Sequence, residues 1–349
     1  MDGPIPRLER FTHPWCVKRP MIADTVLLVT ASYDFAAEYV GDALKRRGIP
    51  FFRLDTDRFP SQVRVSFDPH EDTVISSRDH SILGKQIRSV WYRRNVAPDL
   101  PESLDADTRE FCERETHAFL EGTLATLPSD RWLSSPQAIW RAERKPYQLA
   151  IAARLGFMLP RTVVTNDEVS VRQMAQNNRL VAKAVSSGYI SGPEGNRAIF
   201  TSALVSGDLE DLGGLSLAPV TFQELVEKVS DIRVTVVGND VFAAEILSQR
   251  RESSRVDWRA TDDVNLEHKV HKLPPKVDDL CRKLVSHLGL AFGAIDLALK
   301  ADGTYTFFEI NPNGEWGWIE DKLGLPISDH IAQGDHAFTY RIVVESWYG

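Results

Sequence analysis

The segment Phe292-Gly-Ala-Ile-Asp-Leu-Ala-Leu-Lys300, Ala301-Asp302-Gly303, Thr304-Tyr-Thr-Phe-Phe-Glu-Ile-Asn311 constrains this chain more than any other. Two apolar runs joined through Asp-Gly predict a β-hairpin. With Asp302-Gly303 as a two-residue loop, Ala301 faces Thr304, and counting outward sets Asp296 opposite Glu309. Side chains alternate along a strand, so Asn311 leaves the same face as Glu309. Two facing carboxylates repel and would weaken the hairpin unaided. A hard cation removes the conflict. Asp296, Glu309 and Asn311 form an oxygen donor set suited to Mg²⁺, which takes one or two carboxylates and completes its octahedron with water and phosphate oxygens. The competing reading is a solvated strand end, or a register that separates the two carboxylates.

Upstream, Thr25–Thr30 reads as a buried strand, Phe35 to Arg47 as a helix ended by Gly48-Ile49-Pro50, and Phe51–Leu54 as a second strand, a β-α-β opening. Val63–Phe67 with Val74-Ile75 predicts a hairpin, and Ile87–Tyr92 a further strand. Helical spacing from Asp105 to Leu127 breaks at Pro128-Ser129-Asp130, which marks the first domain boundary. Pro146 suits the first turn of a helix that runs to Leu155 and stops at Gly156. Strands at Arg161–Thr165 and Leu180–Ala184 flank another helix. From Val220 the chain is rich in strands, with helices expected at Val277–Leu288 and Ser328–Val344.

A chain of 349 residues has room for two or three domains and a cleft between them. At 43% hydrophobic and 26% charged, its composition is that of an ordinary globular protein. A net charge of −8 argues against a duplex nucleic-acid partner, which calls for a basic face. Cys16, Cys112 and Cys281 are too scattered for a disulfide framework or a CxxC metal site. The proline-bearing stretch before Met21 lacks the apolar core of a signal peptide, and no run reaches the length of a membrane span. A cytoplasmic location and no membrane partner are the expectation.

Lys183 lies in the apolar run Leu180-Val-Ala-Lys-Ala184, where a lysine needs an anionic partner. The loop Ser186-Ser-Gly-Tyr-Ile-Ser-Gly-Pro-Glu-Gly195 follows, and its glycines, Gly188 among them, let backbone N–H groups approach phosphate. In order along the chain stand Arg144-Lys145, Lys183 with this loop, Thr221-Phe-Gln-Glu-Leu-Val226, Asp231-Ile-Arg-Val234 and Asp296 to Asn311. This succession resembles the ATP-grasp superfamily. The resemblance implies that Lys145 and Lys183 reach the ATP phosphates, that Gln223, Glu224 and Val226 hold adenine, and that Asp231 contacts ribose or phosphate. It makes Asp296, Glu309 and Asn311 the Mg²⁺ ligands.

Leu54-Asp-Thr-Asp-Arg-Phe-Pro60, Val90-Trp-Tyr-Arg-Arg-Asn95 and Glu309-Ile-Asn-Pro-Asn-Gly-Glu-Trp-Gly-Trp318 narrow the likeness to the microviridin-type, or graspetide, peptide-macrocyclising ligases. The implied fold is α/β, in the broad α+β sense: an N-terminal arm over 1–20, a pre-ATP-grasp α/β domain over 21–127, a central ATP-grasp subdomain with the phosphate flap over 128–219, and a C-terminal subdomain with the magnesium site over 220–349. The implied substrate is a ribosomal precursor peptide whose Asp or Glu side chains become acyl phosphates and are closed by Thr, Ser or Lys into esters or amides. Its leader would dock apart from the reacting core, and a homodimer is expected.

Two other readings share the fold: a ligase adding free amino acids to an acceptor, and a regulator that binds nucleotide without turnover. Arg233 alternates with Ile232 and Val234 and so faces either the cleft, as a catalytic phosphate or carboxylate ligand, or water. Asp257 and Arg259 are candidates for substrate contact or a solvated loop. Lys145 has the plainer reading of a surface lysine at a helix start. Trp316 and Trp318 fit a core-covering strand, and His268 with His271 fit one helix face as metal ligands, though no third ligand is apparent.

Overall fold

The computed structural model describes residues 20–186, 188–192, 195–260 and 266–333. Residues 1–19 of the arm, Ser187, Pro193 and Glu194 of the glycine-rich loop, and the expected final helix beyond residue 333 lie outside these. The chain divides into two units, one of residues up to Ala37 with Leu44–Trp132, the other of Glu38–Ala43 with Leu133 onward.

The chain opens as expected with β1 (Thr25–Thr30), α1 (Phe35–Arg46) and β2 (Phe51–Asp55), the two strands parallel. Then β3 (Arg64–Phe67), β4 (Thr73–Ser76) and β5 (Ser81–Leu83) form an antiparallel sheet. β6 (Ile87–Tyr92) returns parallel to β1 and gives the order β2-β1-β6. Every residue of β1 is buried, because the central strand of a parallel sheet is covered on both faces. α2 (Ala106–Leu124) is capped by Asp105, whose carboxylate accepts from Thr108 N at 2.9 Å.

Arg93 has a structural post in the first unit. Its guanidinium forks onto Asp34, Nε donating at 3.0 Å and Nη2 at 3.1 Å, with both side chains buried. Thr30 Oγ1 donates to the same carboxylate at 2.5 Å. Burial pushes the Asp34 carboxyl up, but Arg93 and Thr30 outweigh it and hold it below its ordinary value.

In the second unit come α3 (Pro136–Ala142) and α4 (Lys145–Leu155). Pro146 stands in the first turn of α4, where a missing N–H costs nothing, and Gly156 ends it at a left-handed φ of 91°. β7 (Thr162–Thr165), α5 (Glu168–Ala175), β8 (Leu180–Lys183), the antiparallel pair β9 (Tyr189–Gly192) and β10 (Gly195–Ala198), β11 (Ser202–Ala203) and β12 (Val220–Glu224) follow. Four of these strands make an antiparallel sheet in the order β11-β8-β12-β7. α5 closes it by packing Val171 and Met174 with Leu180 and Phe222.

The second sheet comprises β13 (Ser230–Val237), β14 (Asp240–Ile246), β15 (His268–His271), β16 (Phe292–Leu299) and β17 (Tyr305–Asn311), antiparallel in the order β15-β14-β13-β16-β17. Helix α6 (Pro275–His287) precedes β16, and α7 (Gly317–Leu323) and α8 (Ile327–Gln333) follow β17. One sheet face carries Ile232, Val234, Ile295 and Ile310 and packs under α6; a Cβ at Gly293 would lie 3.1 Å from Val285 of that helix. The opposite face carries Asp231, Arg233, Asp296 and Glu309. All eight residues of β13 are buried, so this polar row is not a solvated edge.

Two readings are corrected here. His268 and His271 lie on a strand, so they point to opposite faces rather than sharing a helical one. His271 is held between Glu245 (Nδ1, 3.0 Å) and Tyr305 Oη (Nε2, 2.7 Å), while His268 packs its ring 4.8 Å from that of Trp318. Trp316 and Trp318 stand at the start of α7 rather than on a strand, Trp316 fully buried.

Candidate active site

Asp296 does face Glu309, but by a different route from the expected one. The loop is longer than two residues: Gly303 N donates to Lys300 O at 3.0 Å and Lys300 N to Thr304 O at 2.9 Å. Gly303, at φ 80°, takes the left-handed position of a three-residue loop. Leu299 therefore pairs with Tyr305 and Leu297 with Phe307, one residue off the two-residue register. A bulge at Phe308 then inserts one residue, and from Asp296↔Glu309 onward the expected register is restored. The bulge turns Phe308 to the polar face, where Lys183 Nζ lies 4.9 Å and Lys228 Nζ 5.5 Å from its ring centre.

Lys145 reaches Glu309 through a device invisible in the local sequence. β17 is an edge strand, and the buried Gln148 of α4 pairs with its backbone: Nε2 donates to Ile310 O at 2.8 Å, and Oε1 accepts from Ile310 N at 3.2 Å. One turn earlier on the same helix face, Lys145 Nζ donates to Glu309 Oε2 at 2.5 Å. Asp296 is met from the other side by Arg233, whose Nη1 donates to Oδ1 at 2.9 Å. Arg233 Nη2 donates to Glu315 O at 3.2 Å, and a Cβ at Gly314 would lie 2.6 Å from that nitrogen, so only glycine leaves the guanidinium its place.

Arg259 spans the carboxylate pair. Its Nη1 lies 3.3 Å from Asp296 Oδ2 and 2.9 Å from Glu309 Oε1, and its Nε 3.1 Å from the buried Asp257. Burial disfavours its charge, yet Asp296, Glu309 and Asp257 raise its pKa above the ordinary value. Burial likewise works against the charge on Glu309, but Lys145, Arg259 and Lys183 hold its carboxyl well below the usual range. For Asp257 the same contest ends with a lowered carboxyl, through Arg259. Facing carboxylate oxygens already bridged by cationic side chains are a donor set that a divalent cation fits.

Lys183 Nζ donates to Gln223 Oε1 at 2.6 Å, and Gln223 Nε2 to Thr162 Oγ1 at 2.9 Å. Burial foremost, with help from Lys145 and Arg259, lowers the Lys183 ammonium to about 8. Asp231 accepts from Lys228 Nζ at 2.7 Å and Ser248 Oγ at 2.5 Å; burial outweighs both and raises its carboxyl.

The candidate nucleotide, metal and substrate residues gather on two adjoining parts of one cleft in the second unit. Lys145, Lys183, Gly188, Gln223, Arg233, Asp257, Arg259, Glu309 and Asn311 line a cavity of about 440 Å³. Glu224, Val226, Asp231 and Asp296 line a slot beside it that shares Lys183 and Gln223. A Cβ at Gly188 would lie 2.6 Å from Ile199 O, so the loop's close approach there requires glycine. Sequence reasoning missed Gln148, Lys228 and Phe308. A lysine four residues past the end of β12 and the Phe307-Phe308 break in alternation were the available signals for two of them.

Lys183 and two opposed carboxylates carried on two antiparallel sheets, met by Lys145 from α4 in a cleft beside a glycine-rich loop, define an ATP-grasp ligase. Residues 25–140 match the family model of the MvdD pre-ATP-grasp domain. Macrocyclase MdnC of Microcystis aeruginosa MRC, solved bound with precursor peptide MdnA, is 34% identical with a TM-score of 0.79, the match covering 88% of this chain and 98% of that one. A RiPP-associated ATP-grasp ligase of Chryseobacterium gregarium, in complex with ADP and a leader and core peptide, is 30% identical with a TM-score of 0.81, over 88% and 95% of the two chains. Macrocyclase MdnB of Microcystis aeruginosa MRC is 34% identical with a TM-score of 0.74, over 88% and 98%. No curated protein matches the chain significantly. The chain belongs to the graspetide-type ATP-grasp ligases, the peptide-macrocyclising branch of that superfamily.

Proposed function

We propose that the protein uses ATP to activate Asp or Glu side chains of a ribosomal precursor peptide as acyl phosphates and closes them onto Thr, Ser or Lys side chains as intramolecular esters or amides. The observation that carries this reading is the pairing of Asp296 with Glu309 inside a cleft that also holds Lys145, Lys183, Arg233 and Arg259. Support for a peptide substrate comes from the two relatives solved with precursor or leader and core peptides.

In this reading Gln223, Glu224 and Val226 hold adenine, Asp231 contacts ribose or phosphate, and Lys145, Lys183 and the loop at Gly188 hold the phosphates. Asp296, Glu309 and Asn311 hold Mg²⁺, which neutralises phosphate charge and aligns the γ-phosphoryl group. Arg233, with Asp257 and Arg259 beside it, orients the substrate carboxylate for in-line attack. No side-chain nucleophile is required of the enzyme. Its contribution is positioning, electrostatic stabilisation and exclusion of water from the acyl phosphate. The proposal extends to the division into 21–127, 128–219 and 220–349, a leader docked apart from the core, a homodimer and a cytoplasmic location. Among the described residues no helix is long and apolar enough to cross a membrane.

Incubation with ATP, Mg²⁺ and a candidate precursor, followed by mass spectrometry, tests the reading. Loss of one water per ADP released supports cyclisation. A mass gain would mean amino-acid addition instead.

A further inference from the structure

Arg259 stands where the divalent cation has to bind. Its Nη1 is within hydrogen-bonding distance of both Asp296 Oδ2 and Glu309 Oε1, the two carboxylates assigned above to the metal. We infer that Arg259 is the resident counter-cation of these carboxylates and gives way to the metal only when nucleotide phosphates enter, so that metal and nucleotide load together. The inference rests on the reading of Asp296 and Glu309 as metal ligands.

Charge balance and mobility both support the exchange. Asp257, Asp296 and Glu309 are matched by Lys145, Arg233 and Arg259, each in direct contact with at least one of them. A bare dication entering this set adds two positive charges to a neutral cluster and meets the guanidinium at both of its own ligands. ATP reverses the balance, because its phosphates bring the negative charge that the metal needs and offer the guanidinium a forked partner. Of the three cations, Arg259 is the one built to leave. Its side chain is 42% exposed, whereas that of Arg233 is 6% exposed and hemmed in by Gly314, and Lys145 sits at 23% on a helix pinned through Gln148. Asp257 supplies the pivot. It is 7% exposed and accepts from Thr201 N at 3.3 Å and Arg259 N at 3.1 Å, so the backbone at Arg259 stays in place while the planar guanidinium swings as one unit on its aliphatic stem.

Mn²⁺ titration followed by electron paramagnetic resonance, on the full-length chain with and without a non-hydrolysable ATP analogue, tests the exchange without turnover. The wild type is expected to bind free Mn²⁺ weakly, and Arg259→Gln to bind it at least about tenfold more tightly because the competing charge is gone. With the analogue present that difference should shrink or reverse. In chelator, Arg259→Gln should melt below the wild type and recover on addition of Mn²⁺, since its facing carboxylates have lost a cation. Arg259→Lys, which keeps the charge without the fork, should bind free Mn²⁺ between the two. Free Mn²⁺ binding no tighter in Arg259→Gln than in the wild type would overturn the inference. Adding Glu309→Gln to Arg259→Gln separates the two claims. Loss of Mn²⁺ binding upholds the carboxylates as ligands, and unchanged binding removes the metal assignment and the exchange with it.

Discussion

At Lys183 the cleft sets a proton against a phosphate. With an ammonium lowered to about 8, the free protein at pH 8.5 holds this lysine mostly neutral, and an arriving phosphate draws the proton back. ATP binding at pH 8.5 should therefore take up a sizeable fraction of one proton, read by calorimetry as a binding enthalpy that varies with the ionisation enthalpy of the buffer. Lys183→Met should abolish that variation; an unchanged buffer dependence in the variant would assign the proton elsewhere. The same shift bears on stability. Because the folded value lies below the ordinary 10.5, the unfolded chain binds more protons between about 8 and 10.5, and the contribution of Lys183 to stability rises with pH across that window. Gly314 makes a second test at this scale. A Cβ there would lie 2.6 Å from Arg233 Nη2 and 2.5 Å from Ala294 Cβ, so Gly314→Ala must push the guanidinium off Asp296. The overpacking should cost about 1–3 kcal/mol in thermal or urea unfolding. Peptide-dependent ADP release should fall much further than that loss of stability explains, and near wild-type turnover would count against a positioned Arg233.

Among the elements, the β16–β17 hairpin marks how far sequence could reach. Its strands, its loop and the opposition of Asp296 to Glu309 were legible in the apolar runs and the Asp-Gly pair, yet the two-residue loop was not what formed. Asp-Gly serves a two-residue turn and the left-handed end of a three-residue loop equally well. Here Asp302 Oδ1 accepts from Thr304 N at 3.0 Å and Thr304 Oγ1 at 2.6 Å in the longer form. The bulge at Phe308 then restores the pairing, and two departures cancel. Gln148 could not have been found this way, because its partner Ile310 lies 162 residues away and the contact is to backbone. Gln148→Leu should leave the Ile310 N–H and C=O unpaired at the edge of the sheet, at about 1–3 kcal/mol for each group. It should also loosen α4 enough to raise the KM for ATP through Lys145. A melting temperature and KM equal to wild type would remove Gln148 from this role.

Over the whole molecule, the polar sequence signals fell into two kinds with different purposes. The Asp-Ile-Arg, glycine-loop and Glu-Ile-Asn segments converge on one cleft of the second unit, while the Trp-Tyr-Arg-Arg segment serves the first unit from within, Arg93 forked on Asp34. Spacing alone does not distinguish a buried structural arginine from a catalytic one; burial and partners do. Asp34→Asn should destabilise the protein by about 3–5 kcal/mol, since the buried Arg93 charge would lose the carboxylate onto which it forks. The Asp34 carboxyl is lowered in the fold, so this pair stabilises above the unfolded carboxylate pKa and fails as pH falls through the lower folded value; acid unfolding of the wild type should lose its Asp34-dependent part in the variant.

The most direct test of the account joins the metal site to the chemistry: ATP, Mg²⁺ and a candidate precursor peptide incubated with the wild type and with Glu309→Gln, with ADP and peptide mass followed together. The account predicts one water lost from the peptide for each ADP released by the wild type, and neither product from a folded Glu309→Gln. ADP release without a mass change, a mass gain on the peptide, or wild-type turnover in the variant would contradict it.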